Sequence, residues 1–155
     1  MFKKILIPTD GSPLSAQSAN KGVCLAREIG AEVVALYVTQ PFAATVGFDG
    51  MAAAYAITDE DYDKTAAEQA DKYVKAVLDR AETAGVKASS KIVSNFNVAD
   101  GIVQSAEELG CDLIFIGSHG RSGLSRLLLG SVTIKVLSLA RMAVLVYRVK
   151  PAEKK

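Results

Sequence analysis

The residues best suited to chemistry lie in one stretch, Gly117 to Thr133, which reads GSHGRSGLSRLLLGSVT. Gly117 and Gly120 flank Ser118-His119, and Gly130-Ser131 opens a helical pattern carried by Ile134, Val136, Leu137 and Ala140. Just before it, Leu113 to Ile116 has the length and composition of a buried parallel strand. Strand, glycine loop and helix start, in that order, turn backbone N–H groups and a positive helix end toward an anion. Glycine admits positive φ and lets the main chain approach a phosphate, which a Cβ would block. Arg121 and Arg126 lie inside the loop and can meet remaining negative charge. The chemistry indicated is the binding of a phosphate-bearing ligand. Glycine-rich turns also serve α/β proteins as plain connections, and the spacing is neither GxGxxG nor GxxxxGK[ST].

Other chemistries find less support. His119 is the only histidine, so no site is built from several. It has no evident carboxylate partner, and a nucleophile needs a base beside it. Cys24 and Cys111 are far apart and form no CxxC, which predicts two buried thiols in a reducing compartment and neither a disulfide nor a metal site. The 18 basic and 17 acidic residues leave a charge of +1, which argues against nucleic acid or an anionic membrane as partner. No apolar run approaches the ~20 residues that span a bilayer. The opening apolar stretch is cut by Pro8-Thr9-Asp10, so it reads as a strand and not a signal peptide. A cytoplasmic protein is expected.

The elements that position this loop follow in order. A chain of 155 residues, half of them apolar, suits one core and one domain, 1–155. Lys4 to Pro8 is the first strand. Asp10-Gly11-Ser12-Pro13 leads into a helix with Ser12 as N-cap, an apolar stripe of Leu14, Ala19, Gly22, Val23, Ala26 and Ile29, and Gly30 at its end. Glu32 to Val38 is the second strand. Thr39 to Ile57 has no period and reads either as a lid or binding loop or as a tolerated surface insertion. From Thr58 a long helix carries Tyr62, Ala66, Ala70, Tyr73, Val74, Val77, Leu78 and Ala81 on one stripe, with its aromatics assigned to the core, and stops at Gly85. Val86 to Val93 alternates as a strand near a sheet edge does. Asn97 to Leu109 is a helix, Asp112 to Ile116 the fourth strand, and Ala143 to Val149 the fifth. Strands alternating with helices imply a parallel sheet with right-handed crossovers.

Gly117-x2-Gly120-x9-Gly130-Ser131 resembles the G-2x-G-9x-G-[S/T] nucleotide motif of the universal stress protein family. Ile5-Leu6-Ile7-Pro8-Thr9-Asp10-Gly11-Ser12, Leu36-Tyr37-Val38 and Val144-Leu145-Val146 extend the likeness over essentially the whole chain. The resemblance implies an open five-stranded parallel sheet in the order 3-2-1-4-5 with helices on both faces, Rossmann-like and of the adenine nucleotide alpha hydrolase type. Strands one and four then meet where the winding reverses, the place where such sheets bind ligands. The resemblance also implies ATP there, with or without Mg2+ or Mn2+. On that reading the backbone at Gly117, Gly120, Gly130 and Ser131, with the Ser131 hydroxyl, holds phosphates and ribose. Val132 and Thr133 add amides or a hydroxyl, and Arg121 is a phosphate contact. Val38 meets the adenine edge through its main chain, Pro8 and Thr9 line the adenine pocket, and Asp10 takes the ribose hydroxyls. Alternatives are helix capping or a share in holding a divalent metal with the phosphates for Asp10, and a solvent-facing position for Arg121; His119 is read as packing the loop, with a ligand contact as its alternative. The resemblance implies a homodimer through strand five at Val144, Leu145 and Val146. The function expected is an ATP-binding stress-response module with little or no hydrolysis. Its alternatives are a slow ATPase, an enzyme phosphorylating itself at Ser118, Ser122 or Ser125, and a dimer that binds a partner without nucleotide.

Overall fold

Parallel strands are buried by helices on both faces and joined by helical crossovers. The computed structural model describes residues 1–42, 59–119 and 129–148. β1 (Lys4–Pro8) buries Ile5, Leu6 and Ile7 completely or nearly so. Ser12 then caps α1 (Pro13–Ile29): its hydroxyl accepts from the Ser15 amide, and Pro13 fits the first turn, where an N–H has no helical acceptor. Gly30 closes α1 in the left-handed conformation, with its amide on the Ala26 carbonyl. β2 (Glu32–Thr39) follows, then α2 (Asp59–Thr83), β3 (Ala88–Ser94), α3 (Val98–Glu108), β4 (Leu113–Gly117), α4 (Ser131–Leu139) and β5 (Ala143–Tyr147).

The five strands are all parallel and run in the order β3-β2-β1-β4-β5, as the resemblance implies. Alternation along each strand splits the core into two layers. Ile5, Ile7, Val33, Ala35, Leu113 and Phe115 face α1 and α2, while Leu6, Val34, Leu36, Ile114 and Ile116 face α3 and α4. At the end of the sheet opposite the site, the Asp112 carboxylate accepts from the Lys3 and Lys4 amides at 2.8 and 3.1 Å, which ties β4 to the start of β1.

Several limits differ from the sequence reading. β2 and β4 each run one residue further, to Thr39 and Gly117. β3 begins at Ala88 because the Val86 amide is used to close α2 on the Ala81 carbonyl, at 2.8 Å. β5 ends at Tyr147 among the described residues, and Val149 lies outside them. Ile29 is exposed at the last turn of α1. Cys111 is buried, but Cys24 is exposed, which corrects the expectation of two buried thiols. It directly follows buried Val23, and one helical step turns it about 100° away from the sheet. Most of the Thr39–Ile57 connection, with the cap proposed at Thr58, lies outside the described residues.

Candidate functional site

Where the winding reverses between β1 and β4, the carboxyl ends of β1, β2 and β4 surround a cavity of about 410 Å³. That lies in the range of small-ligand pockets, roughly 300–1,000 Å³. Pro8, Thr9 and Asp10 form one wall, Val38 a second, and Gly117, Gly130, Ser131, Val132 and Thr133 a third. All the site residues proposed from sequence that are described therefore line one cavity. Gly120 and Arg121, like Arg126, lie outside the described residues.

The turn after β1 is held by its own polar groups. Asp10 Oδ1 accepts from the Ser12 amide at 2.9 Å, so Asp10 shapes the start of α1 while lining the cavity. Gly11 sits at φ +76°, where L side chains are strained, and a Cβ there would lie 2.3 Å from the Tyr73 ring of α2. Only glycine fits this turn against α2.

β2 offers its backbone. The Thr9 amide donates to the Leu36 carbonyl at 2.9 Å, so Leu36 turns its polar groups toward β1, whereas Thr39 accepts from Asn95 on the β3 side. Backbone direction alternates along a strand, so Val38, two residues past Leu36, also presents its N–H and C=O toward β1. β1 pairs with β2 only up to Pro8 opposite Leu36, so that edge opens beyond the end of β1. α3 supplies the apolar floor, with Val98 and Ile102 at the cavity. Its approach depends on Gly101, where a Cβ would stand 2.9 Å from Val38 Cγ1.

The third wall is the start of α4. Gly130 is the N-cap with extended backbone (φ −61°, ψ 149°) and gives no side-chain cap to the first turn. The first-turn amides of a helix lack intrahelical acceptors and carry its positive end. The Gly130 amide donates to the Ser118 carbonyl at 2.8 Å, and its φ is an ordinary negative one, so this bond braces the Gly130 backbone at the cavity wall. The Thr133 hydroxyl is also committed, donating to the Gly117 carbonyl at 2.9 Å from a buried position. The amides left to face an anion belong to Ser131, Val132 and Thr133, with the exposed Ser131 hydroxyl beside them.

His119 lines the cavity, its Nδ1 3.1 Å from Ser118 Oγ and its buried Nε2 without a hydrogen-bond partner among the described residues. Ser118 is fully buried, which removes it from the hydroxyls considered for self-phosphorylation; Ser122 and Ser125 lie outside the described residues. Sequence reasoning missed Ser15, Gln40 and Tyr62 as cavity residues. The helical stripe assigns Tyr62 to the core. It stands at the open N-terminal end of the α2 stripe, half-buried, where it donates to the Gln40 carbonyl at 3.3 Å. Ser15 is three residues past the N-cap Ser12, on the side of α1 that turns back to β1, and that periodicity was the signal available.

The universal stress protein family model matches residues 1–148. Universal stress protein MJ0531 of Methanocaldococcus jannaschii is 37% identical over 150 residues, covering 96% of this chain and 83% of that protein. Universal stress protein YxiE of Bacillus subtilis is 34% identical over 151 residues, covering 96% of this chain and all of YxiE (100%). Among solved structures, protein MJ0577 superposes with a TM-score of 0.80 at 28% identity, over 98% of this chain and 99% of that one. A universal stress protein solved in complex with cAMP does so with a TM-score of 0.61 at 25% identity, over 95% and 97%. Sheet order, glycine motif and relatives agree: the chain belongs to the universal stress protein family.

Proposed function

We propose that this protein binds an adenine nucleotide, ATP, in the crevice between β1 and β4, and acts as a regulatory binding module with little or no hydrolysis. The observation that carries the reading is that the uncapped start of α4 and the end of β1 open on one cavity. Phosphates would lie on the Ser131, Val132 and Thr133 amides, where a helix terminus favours an anion. The base would lie against Pro8 and Thr9 with its edge on the Val38 main chain, and the ribose hydroxyls would reach Asp10. The structural neighbour holding cAMP supports an adenine nucleotide as the class of ligand. Asp10 is the one carboxylate at the cavity among the described residues. Magnesium commonly binds through one or two carboxylates and substrate phosphates, so Mg2+ or Mn2+ would enter with the nucleotide. The protein would act as a homodimer joined along β5, as the family resemblance implies.

The test is calorimetric titration with ATP of the intact protein and of Ser131→Pro. Proline is tolerated at the first helical position, and the extended Gly130 before it suits a proline. The variant thus loses one amide and one hydroxyl while α4 persists. Affinity for ATP should fall about tenfold or more, the weight of one or two charge-assisted hydrogen bonds. Wild-type affinity in the variant, or no ATP binding by the intact protein, would overturn the reading. Phosphate release followed in the same samples should stay far below the typical enzyme median of about 10 per second. Sustained turnover near that rate, lost in Ser131→Pro, would make the protein an enzyme.

A further inference from the structure

We propose that Ser15 is a positioning residue that fixes the Thr9 hydroxyl as a hydrogen-bond donor to an acceptor atom of the bound nucleoside; this rests on the nucleotide reading above. Ser15 is 8% exposed, on the first turn of α1 behind the β1 turn. Its Oγ lies 3.1 Å from Thr9 Oγ1 and accepts from the Asp10 amide at 3.3 Å. The Gly11 amide donates to the same Thr9 oxygen at 3.2 Å.

Across this contact the Ser15 hydroxyl donates to Thr9 Oγ1, so its hydrogen is used inside the turn although Ser15 also lines the cavity. With Ser15 the donor, both lone pairs of Thr9 are filled, by the Gly11 amide and by Ser15. The Thr9 hydrogen then turns to the cavity that Thr9 lines, where water or ligand can accept it. Thr9 is thereby restricted to donating, next to the carboxylate oxygens of Asp10, which are acceptors. The turn reads an acceptor atom beside hydroxyl donors, a pattern that a ribonucleoside carries and that phosphate, rich only in acceptors, does not.

The experiment is titration with ATP and with AMP of the intact protein, Thr9→Ser, Thr9→Val, Ser15→Ala and the double variant Thr9→Val/Ser15→Ala, each checked for folding by circular dichroism. Thr9→Ser should stay within about twofold of the intact protein, and Thr9→Val should lose about tenfold. The loss should be the same for AMP, because the acceptor lies on the nucleoside. Ser15→Ala should lose severalfold, and its loss should combine with that of Thr9→Val to less than their product, because Ser15 acts through Thr9. A merely structural Ser15 would give independent, multiplying losses. That outcome, unchanged affinity in Thr9→Val, or a loss for ATP but not for AMP overturns the proposal. Should Thr9→Val unfold, Thr9→Ala takes its place. An intact protein that binds neither nucleotide overturns the nucleotide reading itself, a result distinct from the others.

Discussion

Alkylation should separate the two thiols. Cys111 is buried behind β4, and burial pushes its thiol up to about 11, outweighing the opposing pull of the Lys4 charge. Thiolate is the reacting form, so at pH 8 roughly one Cys111 in a thousand is competent, and access is blocked as well. Cys24 is exposed. Iodoacetamide on the folded protein is expected to label Cys24 alone, with Cys111 joining only after denaturation; equal labelling in the native state would contradict the structure. At this scale the sequence was legible where a residue type has one physical use. Ser12, Pro13 and Gly30 are such residues, each placed by capping chemistry. It was less legible where a group has several partners to choose from. Nothing local tells that the Gly130 amide turns to Ser118, or that Thr133 spends its hydroxyl on Gly117, because both bonds cross a loop.

Between elements, the bond from Asp112 to the Lys3 and Lys4 amides gives a pH-dependent test. Burial raises the Asp112 carboxyl, but the backbone hydrogen bonds from Lys3 and Lys4 outweigh it, and its pKa lies below the usual carboxylate value. A depressed folded value means that the stabilisation is complete above the ordinary carboxylate pKa of about 3.9 and is lost as pH falls through the folded one. Asp112→Ala should therefore lower stability near pH 7 by about 1–2 kcal/mol, the scale of two partly exposed hydrogen bonds. For a chain of this length that is a few degrees in melting temperature. The gap from the intact protein should stay level from pH 8 to pH 6 and narrow below about pH 4. A gap that is constant into acid would show that the carboxylate bonds are not its source. The elements themselves were largely legible because their periods are strong: β1 and β4 are short apolar runs, and α1 and α3 carry clean stripes between a cap and a stop. The misplaced start of β3 and the misread Tyr62 both depend on contacts between distant segments, the α2 closure and the Gln40 carbonyl.

For the molecule as a whole, the open question is what meets the β5 edge. Sheets with a bare apolar edge invite pairing, and β5 carries Val144, Leu145 and Val146 at the end of the order. Beside it α4 keeps Ile134 and Leu137 exposed, at 49% and 43%, with Leu145 of β5 itself at 36%. A two-fold partner meeting edge to edge would cover the same patch on both copies. The backbone directions identify a clean probe. The Ser118 amide donates to the Tyr147 carbonyl, so Tyr147 faces β4. By alternation Val146 turns its N–H away from β4, to the free edge. Val146→Pro thus removes an outward donor while sparing the ladder to β4, and proline is tolerated on edge strands. Light scattering at micromolar concentration should give the intact protein twice the chain mass of 16.4 kDa, and Val146→Pro a folded species at 16.4 kDa. Leu145→Pro, whose N–H faces β4, should instead unfold the edge and lower the melting temperature. An intact protein at the single-chain mass would remove the dimer, and a Val146→Pro variant that stays double would move the interface elsewhere.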